Sequence, residues 1–235
     1  MNPRRVFSLI GLALFFATPA AADPVGLFPT GIGSDGTLLP DGATDPHYVV
    51  LSGPVTGATT VAVTDGFPIT PGLWFPNGPR SQWVAPPFVG PDDNPVGTYT
   101  FRTEFSLTEL APNFTLQGLW STDNSGRDIL INGVSTGNTN IAPGEFSFLA
   151  FSEFTVGRGF RSGVNTLDFI LGNAPCGGCT NPSGLRVEFT AARPVPEPAT
   201  LLLVAGCSGA IIVGRLWGFS EGLRLAVRNS GSPGG

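Results

Sequence analysis

Hydrophobic and polar residues alternate most regularly from Thr98 to Leu107. Tyr99, Phe101, Phe105 and Leu107 fall on one parity, and Thr100, Arg102, Glu104 and Ser106 on the other. Successive side chains of an extended chain point to opposite faces, so this run predicts a strand with one buried and one wet face. Further short strands are read at Tyr48–Leu51, Thr59–Val63, Phe114–Ser121 and Arg127–Ile131, and the alternation returns at Asn165–Leu171 and Leu185–Phe189. In the last, Leu185, Val187 and Phe189 point one way while Arg186 and Glu188 point the other. Arg127–Ile131 leads into Asn132-Gly133, the pair best suited to the positive φ angles of a tight hairpin. Residues 23–45 are turn-rich and sparsely apolar, and Phe67–Pro95 is dense in proline and carries Trp74 and Trp83. Both read as irregular segments, since proline removes a ladder donor. No helical periodicity is sustained between residues 46 and 192. The pattern predicts an all-β domain over 46–192, an antiparallel β-sandwich of about eight strands.

Two apolar segments flank that domain. Arg4 and Arg5 precede the apolar stretch Val6–Ala17, and Ala20-Ala21-Ala22 follow it. That order predicts an export signal over 1–22, with the mature chain starting near Asp23. The second run begins at Ala199 and extends through Leu216-Trp217-Gly218-Phe219. Its length is close to the roughly 20 residues needed to cross a bilayer core of about 30 Å. Arg215 interrupts the run near its end, where a long side chain can reach the interface, and Arg224 and Arg228 follow it. A membrane helix over 199–219 would therefore leave 220–235 cytoplasmic and the body outside. Cys207 then reads as a small thiol buried in that helix.

Composition narrows the choice of partner. Between residues 23 and 193 there are fifteen Asp or Glu against seven Arg, and lysine is missing from the whole chain. An acidic body without a basic stripe excludes nucleic acid as an expected partner, because phosphate contacts need Lys or Arg clusters. Glycine and proline make up about a quarter of the residues, yet aromatic content is 10%, which favours many turns between short strands over disorder.

Candidate chemistry is sparse. Cleavage of a glycosidic bond would need two carboxylates about 5–10 Å apart. Asp123 and Asp128 are the densest pair, but they sit in a turn and at a strand start, where Asp commonly bonds backbone. His47 is the single histidine and no G-x-S-x-G occurs, so a serine or cysteine triad has little support and His47 reads as a surface or strand-edge residue. The body is expected to be non-enzymatic and to need no cofactor or metal. Cys176-Gly177-Gly178-Cys179 suggests a local disulfide in an oxidising, exported setting, because a zinc site would want two further ligands. Sugar recognition joins aromatic faces to fixed polar groups. Trp120, Asp123, Asn124 and Arg127, with Trp83 and Asn173 in neighbouring loops, are the candidates. The alternative is that Trp120 belongs to the core while Asp123 and Asn124 close a turn.

Two resemblances add expectations. Pro196-Glu197-Pro198, the apolar run after it and the terminal arginines resemble the PEP-CTERM sorting signal of Gram-negative bacteria. Pro196, Glu197 and Pro198, in a linker over 193–198, would form an extended segment presented at the membrane surface. That likeness implies an exosortase-type enzyme as a partner, anchoring by the helix before processing, and residence in the cell envelope or extracellular matrix. The strings DNSGRDILINGVSTGNT, FTVGRGFRSGVNTLDFILGN and GLRVEF resemble the galactose-binding-like jelly roll. They are particularly similar to the sugar-binding domain of family 2 glycoside hydrolases. This second likeness covers about residues 98–190 and implies binding through loops at one end of the sandwich, with extracellular polysaccharide as the ligand. A structural surface or biofilm-matrix protein without a specific small ligand, or a glycosidase accessory domain, would carry the same fold.

Overall fold

The structure is a computed structural model that describes residues 24–55, 57–87, 94–108 and 114–194. The expected export signal, the Pro-Glu-Pro triplet, the apolar segment 199–219 and the tail lie outside the described residues. Among the described residues no helix is long and apolar enough to cross a membrane. The strands are β1 (Thr44–Ser52), β2 (Ala58–Val63), β3 (Trp83–Ala85), β4 (Gly97–Leu107) and β5 (Phe114–Asp123). Then follow β6 (Ser125–Ile131), β7 (Val134–Ser135), β8 (Ser152–Val156), β9 (Gly163–Asn173) and β10 (Gly184–Pro194). A 3-10 turn, Pro143–Glu145, precedes β8.

All seven segments read as strands are strands, and the predicted hairpin joins β6 to β7, with φ of 52° at Asn132 and 80° at Gly133; β3, inside the stretch read as irregular, and β7 and β8 are additional. The domain is all-β, and every pair of neighbouring strands in it is antiparallel; an isolated parallel bridge joins Asn124 to Phe146. Its ten strands form one continuous ladder in the order β7-β6-β9-β4-β1-β2-β3-β10-β5-β8, rather than two separate sheets. That ladder curls until its two halves face each other. Trp120 on β5 and Phe154 on β8 each lie 6.0 Å from the ring of Phe169 on β9. In a flat sheet β5 and β9, six places apart in the order, would be separated by roughly 29 Å at about 4.8 Å per strand. The bend is served by register shifts in β1, between Asp45 and Val49 against β2 and between Val50 and Ser52 against β4.

The concave side holds the main core, in which Tyr99, Phe101, Phe105, Leu107, Trp120, Phe169 and Leu185 are all buried. At Asn124 the chain crosses from β5 in one half to β6 in the other. Gly126 sits just past the crossing because the Trp120 ring leaves no room there: an added Cβ would stand 2.5 Å from its Cη2. Along the open seam, the Asn138 side chain takes the place of a neighbouring strand. Its Nδ2 donates to Thr155 O at 3.0 Å and its Oδ1 accepts from Thr155 N at 3.2 Å, which satisfies part of the β8 edge.

The convex side of β10 departs from expectation. Arg186 and Glu188 hold the polar parity, yet they are only 2% and 5% exposed. The proline-rich segment folds back over them and builds a second apolar cluster of Val63, Trp74, Trp83 and Ala85, flanked by Ile69, Phe75 and Phe148. Arg186 is satisfied inside that layer. Its Nε donates to Ser81 Oγ at 2.8 Å, Nη1 donates to Pro76 O, and Nη2 lies 3.4 Å from Glu188 Oε1. The guanidinium also stands 4.6 Å and 4.8 Å from the ring centroids of Phe75 and Phe151. Burial pulls its pKa down to about 10, against the opposing pull of Glu188. Glu188 Oε2 pairs with the exposed Arg80 at 2.9 Å.

Removing one member of a buried ion pair typically costs about 3–5 kcal/mol, whereas an exposed partner contributes about 0–1 kcal/mol. Arg186→Ala should therefore lower unfolding free energy by about 3 kcal/mol in denaturant titrations, and Arg80→Ala by less than about 1 kcal/mol. Equal small losses from both would contradict a buried clamp.

Candidate functional site

Asp123 ends β5 at the point where the chain changes halves, and the outer layer covers it. Trp74, from the proline-rich segment, reaches down so that its Nε1 donates to Asp123 Oδ2 at 2.8 Å. The indole can lie this low because residue 184 is glycine: a Cβ there would be 2.4 Å from Trp74 Cη2. Trp74 also packs on Trp83, with ring centroids 4.4 Å apart. Asp123 is 3% exposed, and its second oxygen, Oδ1, is buried without a hydrogen-bond partner. Burial drives the carboxyl up to about 7, with the Trp74 hydrogen bond acting in the opposite direction.

Above this carboxyl lies a pocket of about 520 Å³. One wall is Leu73 and Trp74, a second runs from Gly144 to Phe148, and the third is the loop from Ala174 to Pro182 that contains Cys176 and Cys179. Phe146 is 52% exposed and meets Phe148 edge-on at 5.6 Å between centroids, so an aromatic face is open to solvent at the rim. The two cysteines are placed for a disulfide, with Cα atoms 5.5 Å apart. The third wall starts from Asn124, whose backbone N donates to Gly172 O at 2.8 Å and whose Oδ1 accepts from Ala174 N at 2.7 Å. Behind the pocket, polar side chains staple three segments together. Asn173 Nδ2 donates to Asn94 O at 2.9 Å, Asn94 Oδ1 accepts from Ser183 N at 2.9 Å, and Ser183 Oγ donates to Asp123 O at 3.0 Å.

The six residues singled out for sugar contact therefore separate. Asp123 and Asn124 line the pocket. Asn173 lies behind its wall, 2% exposed. Trp120 is fully buried in the main core and Trp83 in the outer cluster, so neither ring face is open to a ligand. Arg127 is exposed, stands over Gly172 and donates through Nη1 to Thr98 Oγ1 at 2.9 Å, away from the pocket lining. The aromatic lining comes instead from Trp74, Phe146 and Phe148. Trp74 was visible as a loop tryptophan, and Phe146-Ser147-Phe148 follows Pro143-Gly144, the one local cue that these rings leave a strand. A second cavity of about 440 Å³ lies along the seam near Ile131, Val134, Thr136 and Val156. Among the described residues no group of three or more His, Cys, Asp or Glu is gathered for a metal. His47 stacks on Phe28 with centroids 3.8 Å apart, and its pKa is lowered chiefly by burial.

Comparison with protein-family models, with curated proteins and with solved structures finds no match to this chain.

A raised carboxyl pKa gives a testable stability profile. Below 3.8 Asp123 is protonated in both folded and unfolded chains; as pH rises, the unfolded chain ionises first. Stability is lost progressively until about pH 7 and the loss is complete above it, on the order of 4 kcal/mol in all. Asp123→Asn has no such loss, so its stability relative to the parent should climb between pH 4 and 7.5 in paired denaturant titrations. Asp45, also raised by burial, titrates in both proteins and cancels. Parallel profiles would contradict the buried carboxyl.

Proposed function

We propose that this is an exported envelope protein whose β-domain binds extracellular polysaccharide, without catalysis, in the pocket above Asp123. The observation that carries the reading is an exposed aromatic face, Phe146, beside a buried carboxylate oxygen that lacks a partner. A pyranose ring presents a C–H face and hydroxyl donors, and these are the complements of those two features. The proposal includes a galactose-binding-like jelly roll as the finer description of the curled sheet, supported by the strand and turn strings around Asn132-Gly133 and Asn165. It also includes sorting by an exosortase-type enzyme at Pro196-Glu197-Pro198 and membrane tethering by residues 199–219 before processing, both supported by the order of motifs in the sequence.

A second reading, glycoside hydrolysis, is favoured by one observation: the pocket wall also carries the exposed carboxylate Glu145, beside an Asp123 held near neutrality. It predicts new reducing ends on incubation with polysaccharide, abolished by Asp123→Asn or Glu145→Gln. The binding reading predicts none.

Calorimetric titration of the full chain in mild detergent with the host's exopolysaccharide should give saturable binding. Phe146→Ala should weaken it by about tenfold while the circular dichroism spectrum is unchanged, because the ring is half exposed. Mass spectrometry of the protein recovered from the envelope should place its C-terminus near Pro198. No heat above dilution with an intact fold would overturn the binding claim, and an intact C-terminus would overturn processing.

A further inference from the structure

We propose that the pocket takes an N-acylated amino sugar, its amide N–H donating to Asp123 Oδ1 and its acyl methyl seated against the apolar walls. This rests on the saccharide reading above and narrows it to one class of residue. The argument is a match of donors and acceptors. The walls are mostly apolar (Leu73, Trp74, Phe146, Phe148, Pro175 and Pro182), and beneath them lies one buried acceptor without a partner.

A hexose and its N-acylated amino counterpart differ at one position, where a hydroxyl is replaced by an acetamido group. A hydroxyl there could pair with the buried oxygen but would leave the apolar walls uncovered. An acetamido group donates its N–H to that oxygen, lays its methyl on the apolar wall and keeps its carbonyl oxygen toward the open mouth of the pocket, where water or Thr180 can reach it.

Charge narrows the class further. The walls carry Asp123 and Glu145 and no Lys or Arg, so uronic or sulfated sugars meet only acidic groups. A free amino sugar would bring an ammonium that the two carboxylates attract, but seating it at Asp123 would strip its charge and three donors of water between apolar walls, a cost that a neutral amide does not carry. Oδ1 is closed to water in this structure, so the amide reaches it only if the side chains over it are displaced; Leu73 and Phe146, 45% and 52% exposed, are the lining side chains with room to move.

The test is calorimetric titration of the full chain with three β-1,4-linked tetrasaccharides on one backbone: N-acetylglucosamine, glucosamine and glucose. The acetylated tetramer should bind at least about tenfold more tightly than the other two, as expected when the competitors leave the apolar walls uncovered or must strip a charge of water. Its affinity should fall by a similar factor in Asp123→Ala and in Phe146→Ala. If Asp123→Ala does not fold, the parent ranking and Phe146→Ala decide. Glucose or glucosamine tetramers binding as tightly, or unchanged affinity in folded Asp123→Ala, would overturn the proposal. Binding of the host exopolysaccharide with none of the three tetramers overturns this assignment and leaves the broader reading standing. Failure of all four ligands overturns both.

Discussion

A guanidinium packed against a pair of phenyl rings fastens the outer layer of this domain to its sheet. Arg186 projects from the convex face of β10 and takes hold of two separate segments at once. Phe75, Pro76 and Ser81 come from the proline-rich stretch, and Phe151 from the chain that follows the 3-10 turn. The two segments also bond each other, with Phe75 N donating to Phe148 O at 3.0 Å. A buried cation is costly unless its hydrogens and charge are matched, and here hydroxyl, carbonyl, carboxylate and ring faces all match it. The proline-rich stretch has few ladder donors of its own, so side-chain anchoring of this kind is what lets it lie on the sheet.

The pocket follows from that anchoring. The same two segments that meet Arg186 continue into Leu73 and Trp74 on one side and Phe146 and Phe148 on the other. Where they stop short of the loop 174–182, a gap remains, floored by the end of β5. Asp123 is thereby taken out of water by an outer layer whose own residues are apolar. That is why its carboxyl is raised, and why one oxygen is bound by Trp74 while the other waits without a partner.

Much of this was legible in the chain. Apolar runs and alternation located seven strands, and parity gave the inward face of the longest run, because side-chain parity is a local property; the short β3, β7 and β8 carry too few residues to show it. Asn132-Gly133 fixed a hairpin through its permitted dihedrals. Asp123 and Asn124, picked out as a polar pair after an aromatic strand, do line the pocket. Neighbour relations were not legible, since parity says which face a residue takes but not which strand lies beside it; a pair of sheets and one curled ladder read alike. Trp120 shares its parity with Phe114 and Leu116, which fits the core alternative raised for it, whereas Trp83, read as a loop residue in the proline-dense stretch, gave no local sign that it stands on a short strand inside the outer cluster. Arg186 and Glu188 read as a wet face because nothing in their own spacing announces that a loop a hundred residues earlier will cover them.

The central claim is that the anchored outer layer holds Asp123 in a dry pocket against Trp74. Carbon NMR of the Asp123 carboxyl through a pH titration, with the Trp74 indole N–H followed in the same samples, tests it most directly. The account predicts a carboxyl midpoint near 7 and an indole resonance that moves with the same midpoint. A midpoint in the ordinary range near 3.8, or an indole signal indifferent to it, would contradict the account.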